Sequence, residues 1–298
     1  METQCRGCDR GRSLADEEVP VTTTLVLLGT AGGPTPHGHR FSPAQAVVVD
    51  GVAYVFDCGN GVAHQLARAG IPFSAIRSVF VTHNHSDHNA DLGTLLMLGW
   101  SGLRPPVRVY GPPPVENMVK HLWEGHRYDL DLRVTDEGRR PLHEMVEVTE
   151  ASRGGVVYAD DLVTVTATLV EHPPVHPAFG FRIDTADRSI ILSGDTVPCD
   201  NLVQLATGAD VLVHETMHVP ALEGLLSRHN GTRLREHLLA SHTRSDEVGI
   251  VAERAGVPLL VLSHLTPADG SVDDETWRRE GQKGYSGTVI VGQDLQEI

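Results

Sequence analysis

The stretch Thr82-His83-Asn84-His85-Ser86-Asp87-His88, following directly on the apolar run Ser78–Val81, decides how this chain is read. A β-branched run that stops at a polar turn is a strand giving way to a loop. Three imidazoles and a carboxylate crowd into that loop. A His-x-His pair leaving a strand converges on one cation when the loop bends. Asp87 and His88, adjacent to each other, then have to aim elsewhere, toward a second ion.

Three single residues extend the pattern. His172 stands in Glu-His-Pro-Pro, Asp195 in Ser-Gly-Asp-Thr and His264 in Leu-Ser-His-Leu. Each follows an apolar run, at the C-terminal end of a predicted strand, where open α/β folds collect functional side chains. Taken singly, each reads equally well as a hydrogen-bonded loop group, or as a helix cap for Asp195. Together they point to a metal site.

The runs between these residues alternate. Leu25–Leu28, Ala46–Val49 and Ala53–Phe56 read as strands, the last two joined by a tight Asp50-Gly51 turn. Gly61–Ala69, Asp91–Leu98 and Val115–Trp123 read as helices, with Val107–Tyr110 a strand among them. Leu162–Val170, Phe179–Ile183, Ser189–Leu192, Val211–Val213 and Leu259–Leu262 are further strands. Leu202–Ala206, Leu234–Ala240 and Asp246–Ala255 are further helices. Such alternation predicts an α/β fold with helices outside sheet layers, in one domain over 21–298. Residues 1–20 are polar and aperiodic and read as a flexible tail; their Cys5-x-x-Cys8 is half a zinc knuckle without a second pair. The segment 100–146, with Trp100, Trp123 and Tyr128, reads as a helical lid whose aromatics either wall a small-molecule pocket or pack a helix on the sheets.

Composition narrows the partners. The 298 residues hold 24 Lys+Arg against 39 Asp+Glu, a net charge of −15, with 17 His. An acidic surface repels a polyanion unless basic residues gather on one face, so nucleic acid is disfavoured without being excluded, and a small anionic or ester substrate is expected. No apolar run approaches the roughly 18 residues of a membrane span, and the N-terminus lacks a basic-then-apolar leader. Four unevenly placed cysteines are no disulfide scaffold, so a cytoplasmic location is expected. Cys58 and Cys199 read as packing residues, and His37 and His39 as loop residues that face either solvent or the site.

The His-x-His-x-Asp-His core, with the spaced His, Asp and His after it, resembles the metallo-β-lactamase superfamily. The resemblance runs from about Leu25 to Val291. It is most specific to the branch of tRNase Z and arylsulfatase- and phosphodiesterase-like enzymes. Leu28-Gly-Thr-Ala-Gly-Gly-Pro, Val55-Phe-Asp-Cys-Gly-Asn-Gly, Val213-His-Glu-Thr and Ser241-His242-Thr243 support it. It implies an αβ/βα sandwich of two mixed sheets flanked by helices, and a dinuclear hydrolase. By that resemblance His83, His85 and His172 hold one divalent ion, Asp87, His88 and His264 the other, and Asp195 bridges them. Zinc is the default, with manganese or iron alternatives for such ligands. A metal-bridging hydroxide would attack the substrate. Asp57 would orient a ligand or the bridging water, and Glu215 would pair with His242 as proton donor near the leaving group. A homodimer is also implied.

The chain departs from tRNase Z in one respect. Only Arg182–Leu192 stand where that family carries a long basic arm, which leaves room for a turn at Thr185–Arg188. A small ester (phosphodiester, sulfate ester, lactone or thioester) is therefore the preferred substrate. A tRNA 3′-processing endoribonuclease without the arm is the alternative.

Overall fold

Alternate residues of the first apolar run face opposite ways. Leu25 and Leu27 point into one buried cluster, Val26 and Leu28 into another, as the two-residue period of a strand covered on both faces requires. The computed structural model describes residues 21–298, so Cys5 and Cys8 lie outside the described residues.

The first sheet contains β1 (Thr23–Gly29), β2 (Ala44–Val49), β3 (Val52–Phe56), β4 (Ile76–Phe80), β5 (Val107–Gly111) and β6 (Val146–Glu150). The second contains β7 (Gly155–Ala159), β8 (Thr164–Leu169), β9 (Phe179–Asp184), β10 (Ser189–Leu192), β11 (Val211–Met217), β12 (Leu259–Thr266) and β13 (Thr288–Val291). A short β14 (Gln296–Glu297) returns to pair with β1, so each sheet has seven strands. Both are mixed: β1 to β3 and β7 to β10 run antiparallel to their neighbours, and β3 to β6 and β10 to β13 run parallel. The Asp50-Gly51 turn has positive φ at both residues, as a two-residue hairpin demands.

Phe56 and Phe80 of the first sheet meet Phe181 of the second in the layer between the sheets. On the outer face of the first sheet lie α1 (Val62–Arg68), α3 (Leu92–Gly99) and α4 (Val115–Gly125), with the single turn α2 (Ser86–Asn89) before α3. The second sheet is covered by α6 (Asp200–Ala206), α9 (Val248–Ala255) and α10 (Asp274–Gly281). The result is the expected αβ/βα sandwich. Three helices stand apart from these layers: α5 (Arg127–Glu137) beyond α4, and α7 (Leu222–Leu226) with α8 (Leu234–Ser241) beyond the end of β11. No helix among the described residues is long and apolar enough to cross a membrane.

Candidate metal centre

The first sheet contributes its ligands from the loop after β4, and the second from the ends of β8, β10 and β12. Thr82 aims the first of them. Its amide and hydroxyl donate to the Asp57 carboxylate, and its hydroxyl oxygen lies 3.0 Å from His83 Nδ1. Because that oxygen accepts from His83, the Nε2 of His83 is left as a lone pair. His172 is fixed in the same sense, its Nδ1–H donating to the Ser241 carbonyl at 2.8 Å. Both Nε2 atoms lie 3.1 Å from His85 Nδ1. At most one of those two contacts can be a hydrogen bond, since His85 has one proton to offer there. A cation between the three nitrogens relieves the clash, and tetrahedral ligands about 2.0–2.1 Å from a zinc stand roughly 3.3 Å apart. Burial keeps all three rings in the neutral form a cation needs, lowering His83 and His172 and bringing His85, beside His172, to about 4.

Asp195 joins this group to the next. Its Oδ2 lies 3.7 Å from His83 Nε2 and 4.0 Å from His172 Nε2 on one side. On the other it is 3.3 Å from His88 Nε2 and 3.2 Å from His264 Nε2. Asp87 completes the second set, with Oδ2 3.3 Å from His264 Nε2. Asp57 accepts from His88 Nδ1 at 2.7 Å, which turns the buried and otherwise unpartnered Nε2 toward the carboxylates. Two groups of candidate ligands therefore share one carboxylate: His83, His85, His172 and Asp195, and Asp87, His88, Asp195 and His264. The structure thus gathers all seven residues that the sequence singled out.

Two local irregularities build this geometry. His264 lies inside β12 rather than beyond its end, where the sequence places it. The β11–β12 register slips there, from Glu215 opposite Ser263 to Thr216 opposite Leu265, leaving His264 as the extra residue of a bulge with φ of 45°. The bulge turns its side chain out of the pleat and toward the site. Gly32 makes room for it: a Cβ there would sit 2.8 Å from His264 Nδ1 and 2.1 Å from Thr266 Oγ1. Asp57, just past β3, is likewise left-handed, with φ of 59°.

Beside the cluster stands a carboxylate–imidazole pair. Glu215 Oε1 accepts from Thr196 N, Thr243 N and His242 Nδ1, the last at 3.1 Å. Burial lowers the pKa of His242, but the Glu215 carboxylate outweighs it and pushes the ring up to about 9. His214, on the same strand, is buried, with Nδ1 2.7 Å from the Glu215 carbonyl oxygen, and stays out of both ligand groups.

A cleft of about 250 Å³ opens over the cluster. Its far wall lies outside 100–146. Trp100 and Trp123 line a separate groove between α4, α5 and the β6 edge, and Tyr128 is 86% exposed. The wall comes from α7, α8 and the loop between them, through Leu225, His229, Leu234, His237 and Leu238. None of these was singled out from the sequence; the signal was the histidine content of 229–242 beside the Ser-His-Thr segment. His37 also lines the cleft, whereas His39 is exposed.

The sandwich and its shared-carboxylate cluster define a metal-dependent hydrolase of the metallo-β-lactamase superfamily. The fold recurs in YhfI from Bacillus subtilis, a metallo-β-lactamase fold protein 20% identical, with a TM-score of 0.67 over 93% of this chain and 98% of that one. It recurs in the short form of human tRNase Z, 21% identical, with a TM-score of 0.66 over 92% and 98%. Ribonuclease Z of Mycobacterium bovis (strain BCG / Pasteur 1173P2) is 34% identical over 278 residues, covering 92% of this chain and 97% of the relative. A family model described as Anti-Pycsar protein Apyc1 matches residues 23–225. The chain belongs to the family that model describes and, with its Ribonuclease Z relatives, to the tRNase Z branch of the superfamily.

Proposed function

We propose that this protein is a dinuclear metal-dependent phosphodiesterase acting on a small substrate, with His83, His85 and His172 on one ion, Asp87, His88 and His264 on the other, and Asp195 between them. The observation that carries it is the single oxygen, Asp195 Oδ2, placed within 4.0 Å of ligand nitrogens from both groups. Two divalent ions, zinc by default for this donor set, would supply Lewis acidity and an activated water.

The chain's own residues do the rest. Asp57 holds His88 in its ligating tautomer. Glu215 fixes His242 Nδ1 and favours the protonated ring, which would give a proton to the leaving oxygen at the edge of the cleft it lines. Leu225, Leu234 and Leu238 exclude water on the far side. The cleft's size and the absence of Lys and Arg among its described lining residues support a small monoanionic diester over a polyanion. The two described cysteines, Cys58 and Cys199, are free and buried, which supports the expected cytoplasmic location. We take the domain to span 21–298 and the assembly to be a homodimer, a state that light scattering checks.

A second reading, cleavage of the 3′ trailer of a pre-tRNA, is favoured by the Ribonuclease Z relatives. The missing arm weighs little against it. The β9–β10 connection is indeed a tight turn, Thr185 N donating to Arg188 O at 3.0 Å. Yet the same aligned stretch takes up 97% of the Mycobacterium bovis relative and 92% of this chain, so that protein has no room for a long arm either. The test is a panel on metal-analysed protein: bis-p-nitrophenyl phosphate, p-nitrophenyl sulfate, an acyl ester, a lactone and a pre-tRNA. Turnover confined to the diester is expected. Efficient trailer removal at physiological salt would move the conclusion to the second reading, and preference for sulfate or acyl esters would overturn both.

A further inference from the structure

The β1–β2 connection, residues 30–43, supplies the near wall of the cleft through Gly32, Gly33, Pro34, Thr35 and His37. Its tip is not held by its own backbone. Among the described residues, no main-chain group from Pro34 to Arg40 is hydrogen-bonded. What fixes the loop lies at its base, where Ala31 N donates to Phe41 O at 2.9 Å, Gly32 N to Leu265 O at 3.0 Å and Leu265 N to Thr30 O at 2.9 Å.

One carboxylate from the far end of the chain joins both limbs of that base. Asp294 stands in the turn between β13 and β14, where the chain leaves the second sheet and returns to the first. Its Oδ1 accepts from Thr30 N at 3.0 Å and from Thr30 Oγ1 at 2.7 Å, and its Oδ2 from Phe41 N at 2.6 Å. Thr30 Oγ1, having given its proton to Asp294, accepts from Arg40 Nη1 at 2.6 Å. Hydrogen bonds to an ionised acceptor are about twice as strong as neutral ones, so the base is held more firmly than main-chain pairing alone would hold it.

The base carries that restraint to the ligands. Gly33 N donates to Asp87 Oδ2 at 3.1 Å, and Gly32 packs so closely on the His264 ring that a Cβ would meet its Nδ1 at 2.8 Å. Both contacts fall on the second ligand group, Asp87, His88, Asp195 and His264. A donor fixes which way a ligating carboxylate points, as partners outside the ligand shell do at metal centres generally. Asp294 itself belongs to neither ligand group and does not line the cleft.

We propose that Asp294 is a positioning residue for the second ion: it closes the 30–41 loop and so sets Asp87 and His264. The inference rests on the two-ion reading above and deepens it, by making one of the two ions depend on the C-terminal turn.

The test is cobalt(II) titration of metal-free full-length protein, followed by absorption, for wild type, Asp294→Ala and Asp294→Asn. The asparagine keeps the side chain's volume and can accept at one limb of the loop only, so it reports even if the alanine variant fails to fold. Wild type should take two ions per chain. The variants should bind one ion as wild type does, with the spectrum of His264→Ala, which lacks a ligand of the second group. The other ion should bind about tenfold more weakly, the low end of what such outer partners cost. Amide exchange of the metal-free protein, read by mass spectrometry, should quicken over 30–41 in the variants and stay as it is in β4. Unchanged affinity for both ions, equal weakening of both, or unchanged exchange over 30–41 overturns the proposal. A wild type that takes one ion, with faster exchange over 30–41 in the variants, keeps the clamp on the loop and sinks the two-ion reading instead.

Discussion

Two carboxylates at opposite ends of β4 show how differently a fold treats a charge it keeps for itself and one it keeps for a ligand. Asp160, in the β7–β8 turn near the start of β4, is fully engaged. Tyr54 and Tyr158 each donate to its Oδ2 at 2.7 Å, Leu162 N and Val163 N donate to its Oδ1 at 2.9 Å, and Arg77 stands 3.6 Å away. Asp195, across from the far end of that strand, is deeply buried with no amide or hydroxyl donor. Its Oδ1 lacks a partner and its Oδ2 faces only histidines. A satisfied carboxylate holds the two sheets together, whereas an unsatisfied buried one marks where something else must bind.

The widest break in that comparison is Asp195→Ala. Without the shared oxygen, both ligand groups lose a member, and we expect bound metal to be lost and kcat to fall by more than about 10³-fold, the scale of a major electrostatic contact in the transition state or larger. Stability should respond in the opposite sense from a structural carboxylate. A chelator should lower the Tm of wild type, because metal binds only the folded state, and leave Asp195→Ala unmoved. A variant that kept full activity and metal would end the dinuclear reading. Next comes His242→Gln, expected to cost about 10²–10⁴-fold in kcat, as removal of a general acid does, with metal content unchanged by elemental analysis. Metal loss there would instead make His242 a ligand, grouped with Glu215 and His264.

Seen from the sequence, the ligand end of the molecule was legible and the structural end was not. Metal-capable side chains are rare enough that His83, His85, Asp87 and His88 stand out within one loop, and the strands before Asp195 and His172 are apolar runs. Tyr54 and Asp160 are far apart in the chain and join only through sheet pairing, which no local pattern encodes. The bulge at His264 was missed for the same reason, since an extra residue in a strand is defined only by its partner. The aromatics of 100–146 read equally well as pocket walls or as helix packing, and only the sheet they meet separates the two. Trp100 and Trp123 bury apolar area on the first sheet, while the cleft wall joins α8, which the sequence does show as a helix, to the five-residue α7, too brief to show a period. The charged α5 has no fully buried residue and packs on the first-sheet core only through half-buried Leu130 and Val134, too sparse an apolar stripe to mark it as a separate helix.

The smaller effects belong to Asp160. Asp160→Ala leaves two tyrosine hydroxyls and two amides without their acceptor, and we expect a loss of about 2 kcal/mol, or roughly 5 °C in Tm, with turnover at 25 °C unaffected. Lost activity at that temperature would mean the two ends are coupled. The finest test is the acid slope. Burial raises the Asp160 pKa, but the Tyr158 and Tyr54 hydroxyls and the Leu162 and Val163 amides outweigh it and hold the group below its ordinary 3.8. A depressed carboxylate stabilises the fold above its unfolded value, and that contribution is lost as pH falls through the lowered one. Asp160→Asn cannot titrate. Between pH 5 and pH 3 its stability in urea melts should therefore decline less steeply than that of wild type. Chelated protein serves for both, so that ligand protonation at the metal centre does not enter the slope. Parallel slopes would show that the two tyrosines hold a neutral acid as firmly as a carboxylate, and the contrast with Asp195 would then lie in packing rather than in charge.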